Sequence, residues 1–336
     1  WASGVVAARS DLRAAFIHAQ SSVAAARETG FSLLEAICLV LLIRYAIDLG
    51  ELAEAAANLG RLQELKRGGV WGFLDAIAPA IETELHLRNN REAEARQALA
   101  LMLKEARAPR KAAWLNWVAA WLPRQLAIAL EAGTEPETAR ELIRRFHVQA
   151  YSQGDSQWPW PVRIRAFSDF EIEVDGSPIV SKGKAQHKLL ELLQILIALG
   201  AEHVSVAEIC EWVWPDADGD TAAGNLRTSL HRLRKLLRHD AALLMHNSTV
   251  TLNRKVCWLD THAFEQLSMN LDGEVMPDAL EQAIDLYRGH LFEKQSPAWI
   301  LPLRDRLRHR FQRATLRLAQ LFEANGEPQK AEALYQ

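Results

Sequence analysis

TAAGNLRTSLHRLRKLLRH, residues 221–239, contains the clearest helical pattern in this chain. Leucines recur at positions 226, 230, 233 and 237. Because a helix turns about 100° per residue, Leu230, Leu233 and Leu237 lie within about 40° of Leu226. They predict a narrow apolar stripe that packs on a domain core. The rest of the helix carries five Lys or Arg residues and no Asp or Glu.

The segments around this helix predict a small α+β domain at residues 162–258. Period-two alternation predicts strands at 163–167 and 171–174, a turn at Asp175-Gly176 and a return strand at Ile179-Val180. Helices are predicted at 187–199 and 206–213, followed by the basic helix and by strands at 243–246 and 249–252. This order of elements, with strands first, then three helices and then a hairpin, is that of a winged helix-turn-helix with an extra N-terminal sheet.

The segments outside this domain read as helices, so the fold class is mainly α. Turn residues followed by alanine recur in residues 1–150 at Gly50, Asn90 and Gly133, with spacings of 40 and 43 residues. Such spacing is typical of stacked helical hairpins and predicts tetratricopeptide-like repeats. Polar residues and two prolines at 151–161 predict a linker. Residues 259–336 predict a second helical segment.

The acid-free face of the basic helix favours binding to double-stranded DNA. Arginine pairs with guanine through two hydrogen bonds, while lysine and threonine reach phosphates. Acidic residues at 216, 218 and 220 favour the positive end of the helix dipole, and Asp220 is the expected N-cap. Two alternatives stay open at this point. The helix is a solvated surface, or the domain belongs to an interaction scaffold that binds protein or RNA.

The expected DNA contacts lie on the helix, on the hairpin and on one preceding lysine. They are Asn225, Arg227, Thr228, His231, Arg232, Lys235 and Arg238 on the helix, Asn247, Ser248 and Thr249 at the hairpin tip, Arg254 and Lys255 beyond it, and Lys184. Asn247 suits the positive φ of a two-residue turn. We expect Arg254 and Lys255 to contact phosphates and to affect the affinity for all sequences alike.

Residues 162–336 resemble a known family of bacterial regulators. The residues that carry the resemblance are Asp175-Gly-Ser-Pro178, Lys188–Leu193, Glu211-Trp-Val-Trp-Pro215, Asn225–Leu237, Asp260–Phe264, Leu286-Tyr-Arg-Gly289, Trp299 and Arg304–Leu307. They are similar to the OmpR-like winged helix and the bacterial transcriptional activator domain of the antibiotic regulatory protein family. The resemblance implies a sequence-specific transcription regulator that acts as an activator, with RNA polymerase as a partner and a homodimer as an open option.

The arrangement departs from that family, because its members usually begin with the winged helix. The 150 helical residues that come first make the chain more similar to the C-terminal part of a large MalT-like regulator, which implies an ATPase upstream. Because Trp1 is not a start methionine, we expect the chain to be a fragment. The repeats are expected to sense a protein or small-molecule effector. We hypothesise that they also dock on the basic helix and restrain DNA binding.

The composition and motifs exclude several function classes. Hydrophobic residues make up 49% and charged residues 24%, at a net charge of -3, which is ordinary globular composition. We expect no membrane span, because no apolar run is long enough. Three scattered cysteines predict a cytoplasmic protein without disulfides. Neither a catalytic constellation nor a metal or cofactor motif occurs, so we expect no enzyme.

Two further side-chain patterns carry weaker expectations. Trp114, Trp117 and Trp121 share one face of a predicted helix, which favours packing between repeats over a ligand groove. Arginines between Arg304 and Arg317 flank another apolar stripe. They favour a solvated or interdomain ion-pair surface over contact with flanking DNA or an acidic partner.

Overall fold

The protein is mainly helical with a small sheet region, as 66% of it is in helices. The structure is a computed structural model that describes residues 11–69, 71–180, 183–269, 271 and 276–335. The chain divides into two compact units, Trp1–Tyr151 and Ser152–Gln336. The mainly α class predicted from the sequence is therefore confirmed.

The first unit consists of helices. They are α1 (Leu12–Glu28), α2 (Ser32–Leu49), α3 (Leu52–Gly68), α4 (Leu74–Arg88), α5 (Glu92–Ala106), α6 (Pro109–Ala112), a 3₁₀ helix (Ala113–Val118), α7 (Leu122–Glu131) and α8 (Pro136–Phe146). Consecutive helices pack on one another, most extensively α1 on α2, α2 on α3 and α4 on α5. The three predicted turn residues, Gly50, Asn90 and Gly133, all have positive φ, which ends a helix and lets the chain reverse.

The predicted continuous helix through the three tryptophans is wrong. Trp114 and Trp117 lie in the 3₁₀ helix, and Trp121 precedes α7, which has Pro123 in its first turn. Trp121 is buried and its indole donates to Asp48. The half-buried Trp114 packs against the Phe73 and Trp117 rings, with centroids 5.0 and 5.5 Å apart. The cluster therefore serves internal packing between helices, as the favoured interpretation expected.

The second unit contains two small sheets and seven α-helices among its described residues. The strands are β1 (Val162–Arg165), β2 (Glu171–Val174), β3 (Ser177–Pro178), β4 (Val204–Ser205), β5 (Leu243–His246), β6 (Thr249–Leu252) and β7 (Cys257–Leu259). The helices are α9 (Lys184–Ala198), α10 (Val206–Val213), α11 (Gly219–Leu236), α12 (Asp260–Leu267), α13 (Pro277–Leu286), α14 (Leu301–Ala324) and α15 (Pro328–Tyr335). One sheet has the order β3-β2-β1-β7 and the other β4-β6-β5.

The observed strands confirm most of the strands and turns that the sequence predicts. Asp175 and Gly176 both have positive φ, so they form the expected tight turn between β2 and β3. The return strand is Ser177–Pro178, not Ile179-Val180, because pairing begins directly after the two-residue turn. β7 pairs in parallel with β1 and was not predicted as a strand.

The segment predicted as a linker, 151–161, packs into the second unit from Ser152 onward. Trp158 and Trp160 are buried. The Gln153 carbonyl accepts the Trp258 indole N–H at 2.8 Å, and the Gln153 side chain donates to the Arg254 carbonyl at 2.6 Å. The correction has a physical reason: two tryptophans supply apolar area that is more stable buried than exposed.

The predicted boundary at 258/259 does not separate two domains. One apolar core runs from the β1 side chains Val162 and Ile164 through the leucines of α11 to Trp299 and Leu307. Asp260, fully buried, follows β7 directly, and its Oδ2 accepts the backbone N–H groups of Ala166 and Phe167 at 2.8 and 2.9 Å. The sheet and the following helices therefore form one folded body.

The arginine run on α14 is largely engaged inside this unit. Arg306 pairs with Glu265 at 2.9 Å, and Arg310 donates to the Glu265 and Ser268 carbonyls. Arg304 donates to the carbonyls of Leu291, Phe292 and Gln295 at 2.7–2.9 Å. These contacts hold α14 against preceding loops of the same unit. All of them lie within one unit, so the interdomain part of the expectation is corrected, whereas Arg306 and Arg308 are exposed as its solvated part expected.

Replacing Arg304 with Met should lower the free energy of unfolding of the second unit by about 1–3 kcal/mol. Methionine keeps most of the apolar stem but leaves three carbonyl oxygens without their donor. Urea unfolding followed by circular dichroism measures the change. Arg308→Met is the matched control, since Arg308 is exposed on the same helix. Equal stability of the two variants would contradict a role for Arg304 as an anchor.

Candidate nucleic-acid interface

The basic helix predicted at 221–239 is α11, Gly219–Leu236. Its N-cap is Asp218, whose Oδ1 accepts the Thr221 N–H at 3.0 Å, and the hydrogen bond to Thr221 lowers the pKa of Asp218. The expected N-cap, Asp220, is instead the second helical residue. The helix starts earlier than predicted because Gly219 adopts helical backbone after an extended Asp218.

Burial divides α11 as the leucine spacing predicts. The fully buried side chains are Leu226, Leu230, Leu233 and, at the C-cap, Leu237. The expected contacts on the helix are all exposed: Asn225, Arg227, Thr228, His231, Arg232 and Lys235. The helix ends at Leu236, and Arg238 lies beyond it with a left-handed φ of 57°. Arg238 is exposed but does not belong to the helical face.

The cations on the exposed face of α11 have no acidic partner. In the part of the chain that the structure describes, Arg227, Arg232 and Lys235 form neither an ion pair nor a side-chain hydrogen bond with the protein. By contrast, the exposed Arg13, Arg96 and Arg107 all meet carboxylates. Because α11 begins at Gly219, it contains one acidic residue, the exposed Asp220 in its first turn, so the expectation of an acid-free face is corrected there. The three unpaired cations further along the helix create a local positive potential in a protein of nearly neutral charge.

Arg234 joins α11 to the β5–β6 hairpin. Its Nε donates to the Leu243 carbonyl, at the first residue of β5, over 2.9 Å. Arg234 is half-buried, since it lies about 80° from Leu226 around the helix, next to the leucine stripe. Sequence reasoning counted it among the cations and assigned it no role. Its helical angle was the signal that could have separated it from the exposed set.

The hairpin tip has the expected geometry. His246 pairs with Thr249, and Asn247 and Ser248 between them have φ values of 48° and 57°. Two consecutive positive φ values define a type I′ turn, whose twist suits antiparallel strands. The Ser248 carbonyl accepts the N–H of Val206, so the tip lies beside the start of α10. Asn247 and Ser248 are exposed and Thr249 is half-buried.

The structure separates Arg254 and Lys255 from the hairpin tip. Both follow β6 at the end opposite the tip, a strand length of about 13 Å away. Arg254 forms an ion pair with Glu202. Lys255 is exposed, and its backbone N–H donates to the Asn253 side chain. The expectation that both lie near the tip is therefore wrong, because β6 carries the chain back to the base of the hairpin.

Lys184 occupies a third position, as the exposed first residue of α9. The expected contacts thus fall into one continuous set on α11, one small set at the hairpin tip, and single residues elsewhere. The set on α11 and the tip are the ones tied together through β5 and Arg234.

The described residues contain no group of three or more His, Cys, Asp or Glu side chains placed to hold a metal ion. Their three cysteines are buried, and burial raises the pKa of Cys257 to about 12. A thiol with such a pKa stays protonated and is a poor nucleophile at neutral pH. Among the same residues, every helix is too short or too polar to span a lipid bilayer.

Comparison of the chain with models of known families, with curated proteins and with solved structures finds no match in any of the three.

Proposed function

We propose that the second unit binds double-stranded DNA and that the chain is a sequence-specific transcription regulator. The observation that carries the proposal is the exposed cationic face of α11, whose Arg227, Arg232 and Lys235 have no acidic partner in the described chain. Unpaired cations on a helix can replace the counterions condensed on DNA phosphates, and the release of those counterions favours binding. A single α-helix has the width that the major groove of B-form DNA admits.

The elements around α11 support this proposal. The helices α9, α10 and α11 followed by the β5–β6 hairpin have the order of a winged helix-turn-helix, with α11 as the recognition helix. The sheet whose strands β1, β2 and β3 precede them fits the OmpR-like variant which the sequence resembles. With α11 in the major groove, the tip at Asn247 and Ser248 is the nearest candidate for contact with the adjacent backbone.

The alternative is an interaction scaffold whose winged helix binds protein or RNA. The geometry of α11 favours DNA over duplex RNA, because the major groove of A-form RNA is too deep and narrow for a helix. A protein partner would have to be strongly acidic to match the unpaired cations. The helix α11 carries no Phe, Tyr or Trp for stacking of single-stranded bases, and His231 is its one exposed ring.

A titration of the full chain with three probes tests the proposal. The probes are a mixed-sequence DNA duplex, the RNA duplex of the same sequence, and one DNA strand alone, each measured by gel shift at several salt concentrations. We expect the DNA duplex to bind most tightly and its log affinity to fall linearly with log salt. Equal binding of the duplex and the single strand, or no salt dependence, would contradict the major-groove proposal.

The helical first unit fits a regulatory role. Stacked helical hairpins present extended surfaces that bind proteins or ligands, so an effector site on this unit remains our proposal. By resemblance, RNA polymerase is the proposed partner of the activator. The hypothesis that the first unit restrains DNA binding also remains a proposal.

A chain that begins at Ser152 should bind a DNA duplex more tightly than the full chain, if the first unit masks α11. The gain would equal the free energy of docking between the units. The start must be Ser152, not Trp158, because the Trp258 indole needs the Gln153 carbonyl. Fluorescence anisotropy of both chains on one duplex at one salt concentration measures the difference. Equal affinities would leave the first unit as a spacer or a recruitment surface.

A further inference from the structure

Gly224 lies inside α11, five residues after the first residue of the helix, and is exposed. Glycine in a helix interior lowers stability relative to alanine, because it loses more backbone entropy on folding. The φ angle of Gly224 is not positive, so its backbone conformation is one that any residue adopts. Glycine therefore lowers the stability of the folded chain at this position, although the backbone conformation does not require it.

Internal packing does not explain the glycine either. A Cβ atom built at position 224 meets no atom within 4 Å, which leaves room for a side chain in the protein alone. By contrast, a Cβ at Gly154 would lie 2.9 Å from the side chain of Leu267, which would have to move to accommodate it. Neither a positive φ nor internal packing therefore requires glycine at position 224.

The position of Gly224 on the helix indicates what lies there. It is about 160° around the helix from Leu226, close to the centre of the exposed face. One turn further, the Thr228 hydroxyl donates back to the Gly224 carbonyl at 3.1 Å, and so keeps close to the helix. The long cationic side chains of Arg227 and Arg232 flank this line on its two sides. In the N-terminal half of α11, the exposed face is therefore lowest at Gly224 and Thr228, while His231 and Lys235 continue the same line toward the C-terminus.

We infer that Gly224 is the point where α11 approaches the base edges of duplex DNA most closely, an inference that rests on the proposed function. Without a side chain, the backbone at 224 comes near the floor of the major groove, and Arg227 and Arg232 reach the walls. Asn225, exposed beside it, is then positioned at a base edge, where its amide matches adenine. The N-terminal half of α11 enters the groove, which is the usual contact end of a recognition helix.

A pair of matched variants tests the inference. Gly224→Ala adds one methyl group at the proposed contact. Gly60→Ala adds the same group inside α3, where a Cβ likewise meets nothing within 4 Å. Because alanine favours helix, we expect each variant to raise the Tm of its own unit by about 2–4 °C. Calorimetry of the two full-length variants and the parent chain measures the Tm values.

The binding probes are a duplex recovered by repeated selection of the parent chain on a random-sequence pool, and poly(dI-dC) as the unselected duplex. Gly224→Ala should weaken binding to the selected duplex by about 5- to 100-fold, the loss of one base contact. It should change binding to poly(dI-dC) much less, because unselected complexes depend on phosphates. Gly60→Ala should leave both affinities unchanged.

The outcomes separate the inference from the proposed function. If the parent chain binds neither duplex, the proposed function fails and the inference fails with it. If the parent chain binds the selected duplex and Gly224→Ala binds it equally well, only the inference is overturned. A lower Tm for Gly224→Ala would also overturn it, because the glycine would then have an internal structural role. A higher Tm together with weaker selective binding supports it.

Discussion

Replacing Arg227, Arg232 and Lys235 together with Ala should weaken binding to duplex DNA by about 10²- to 10⁴-fold, the largest effect on binding that we expect. None of the three has a partner in the described protein, so their loss removes contacts to DNA without breaking internal ones. The slope of log affinity against log salt should also decrease by about one for each lost phosphate contact. Gel shifts at several salt concentrations measure both quantities.

A control with the same change in net charge separates a local contact from general attraction. Arg96, Arg107 and Lys330 are exposed, lie away from α11 in sequence and all pair with carboxylates. Their triple Ala variant should bind DNA within a few-fold of the parent chain. Unchanged unfolding of the α11 variant by circular dichroism excludes a folding defect. Unchanged DNA affinity of a folded α11 variant would refute the assignment of the interface.

The largest effect on stability is expected at Asp260. Replacing Asp260 with Ala leaves the N–H groups of Ala166 and Phe167 buried without an acceptor. Each unsatisfied buried donor costs about 1–3 kcal/mol, so the free energy of unfolding should fall by about 2–5 kcal/mol. Chemical denaturation of the second unit, as the chain from Ser152, measures the loss. A loss below about 1 kcal/mol would show that water replaces the carboxylate.

Asp260 should also make stability depend on pH. Complete burial raises the pKa of Asp260 to about 7, although the N–H groups of Phe167 and Ala166 act in the opposite direction. In the unfolded chain, the pKa of this carboxyl is about 4. Because the folded pKa is the higher one, the unfolded state releases this proton first as pH rises. Stability from this group is therefore complete below about pH 4 and is lost as pH rises through about 7.

Asp260→Asn isolates that dependence. The amide cannot titrate, so the difference in unfolding free energy between variant and parent should move in favour of the variant from pH 4 to pH 8. His262 has the opposite effect, because burial lowers its pKa to about 4. The protein therefore loses the stability contributed by His262 as the pH falls. That contribution is common to both chains and cancels in the difference. A difference that is constant with pH would show that Asp260 stays ionised in the folded state.

Local periodicity predicted the elements of the interface because each is encoded by neighbouring residues. Four leucines at helical spacing marked the buried stripe of α11, and Asn247-Ser248 between short strands marked a turn with two positive φ values. The ends of the helices were predicted less accurately. Helix α11 begins two residues and ends three residues before its predicted limits. Cap residues differ by hydrogen bonds that the sequence does not specify, as Asp218 and Asp220 illustrate.

Contacts between distant residues could not be predicted from single-sequence patterns. Polar residues and prolines at 151–161 are typical of a linker, yet Gln153 bonds to Arg254 and Trp258, about a hundred positions later. β7 was missed because Cys257-Trp-Leu259 is too short for a strand pattern and is buried on both faces. Arg254 was misplaced for a related reason, since only the return of β6 shows which end of the hairpin it occupies.

The core that runs from β1 to Leu307 has a consequence for how such a protein can change during evolution. Recombination preserves folding best when the breakpoint lies between compact units, and the boundary between Tyr151 and Ser152 is such a point. A breakpoint after Leu259 would place Asp260 and part of the shared core on a different chain. The part of the chain that has to be inherited together is therefore Ser152–Gln336, in which strands and following helices share one core.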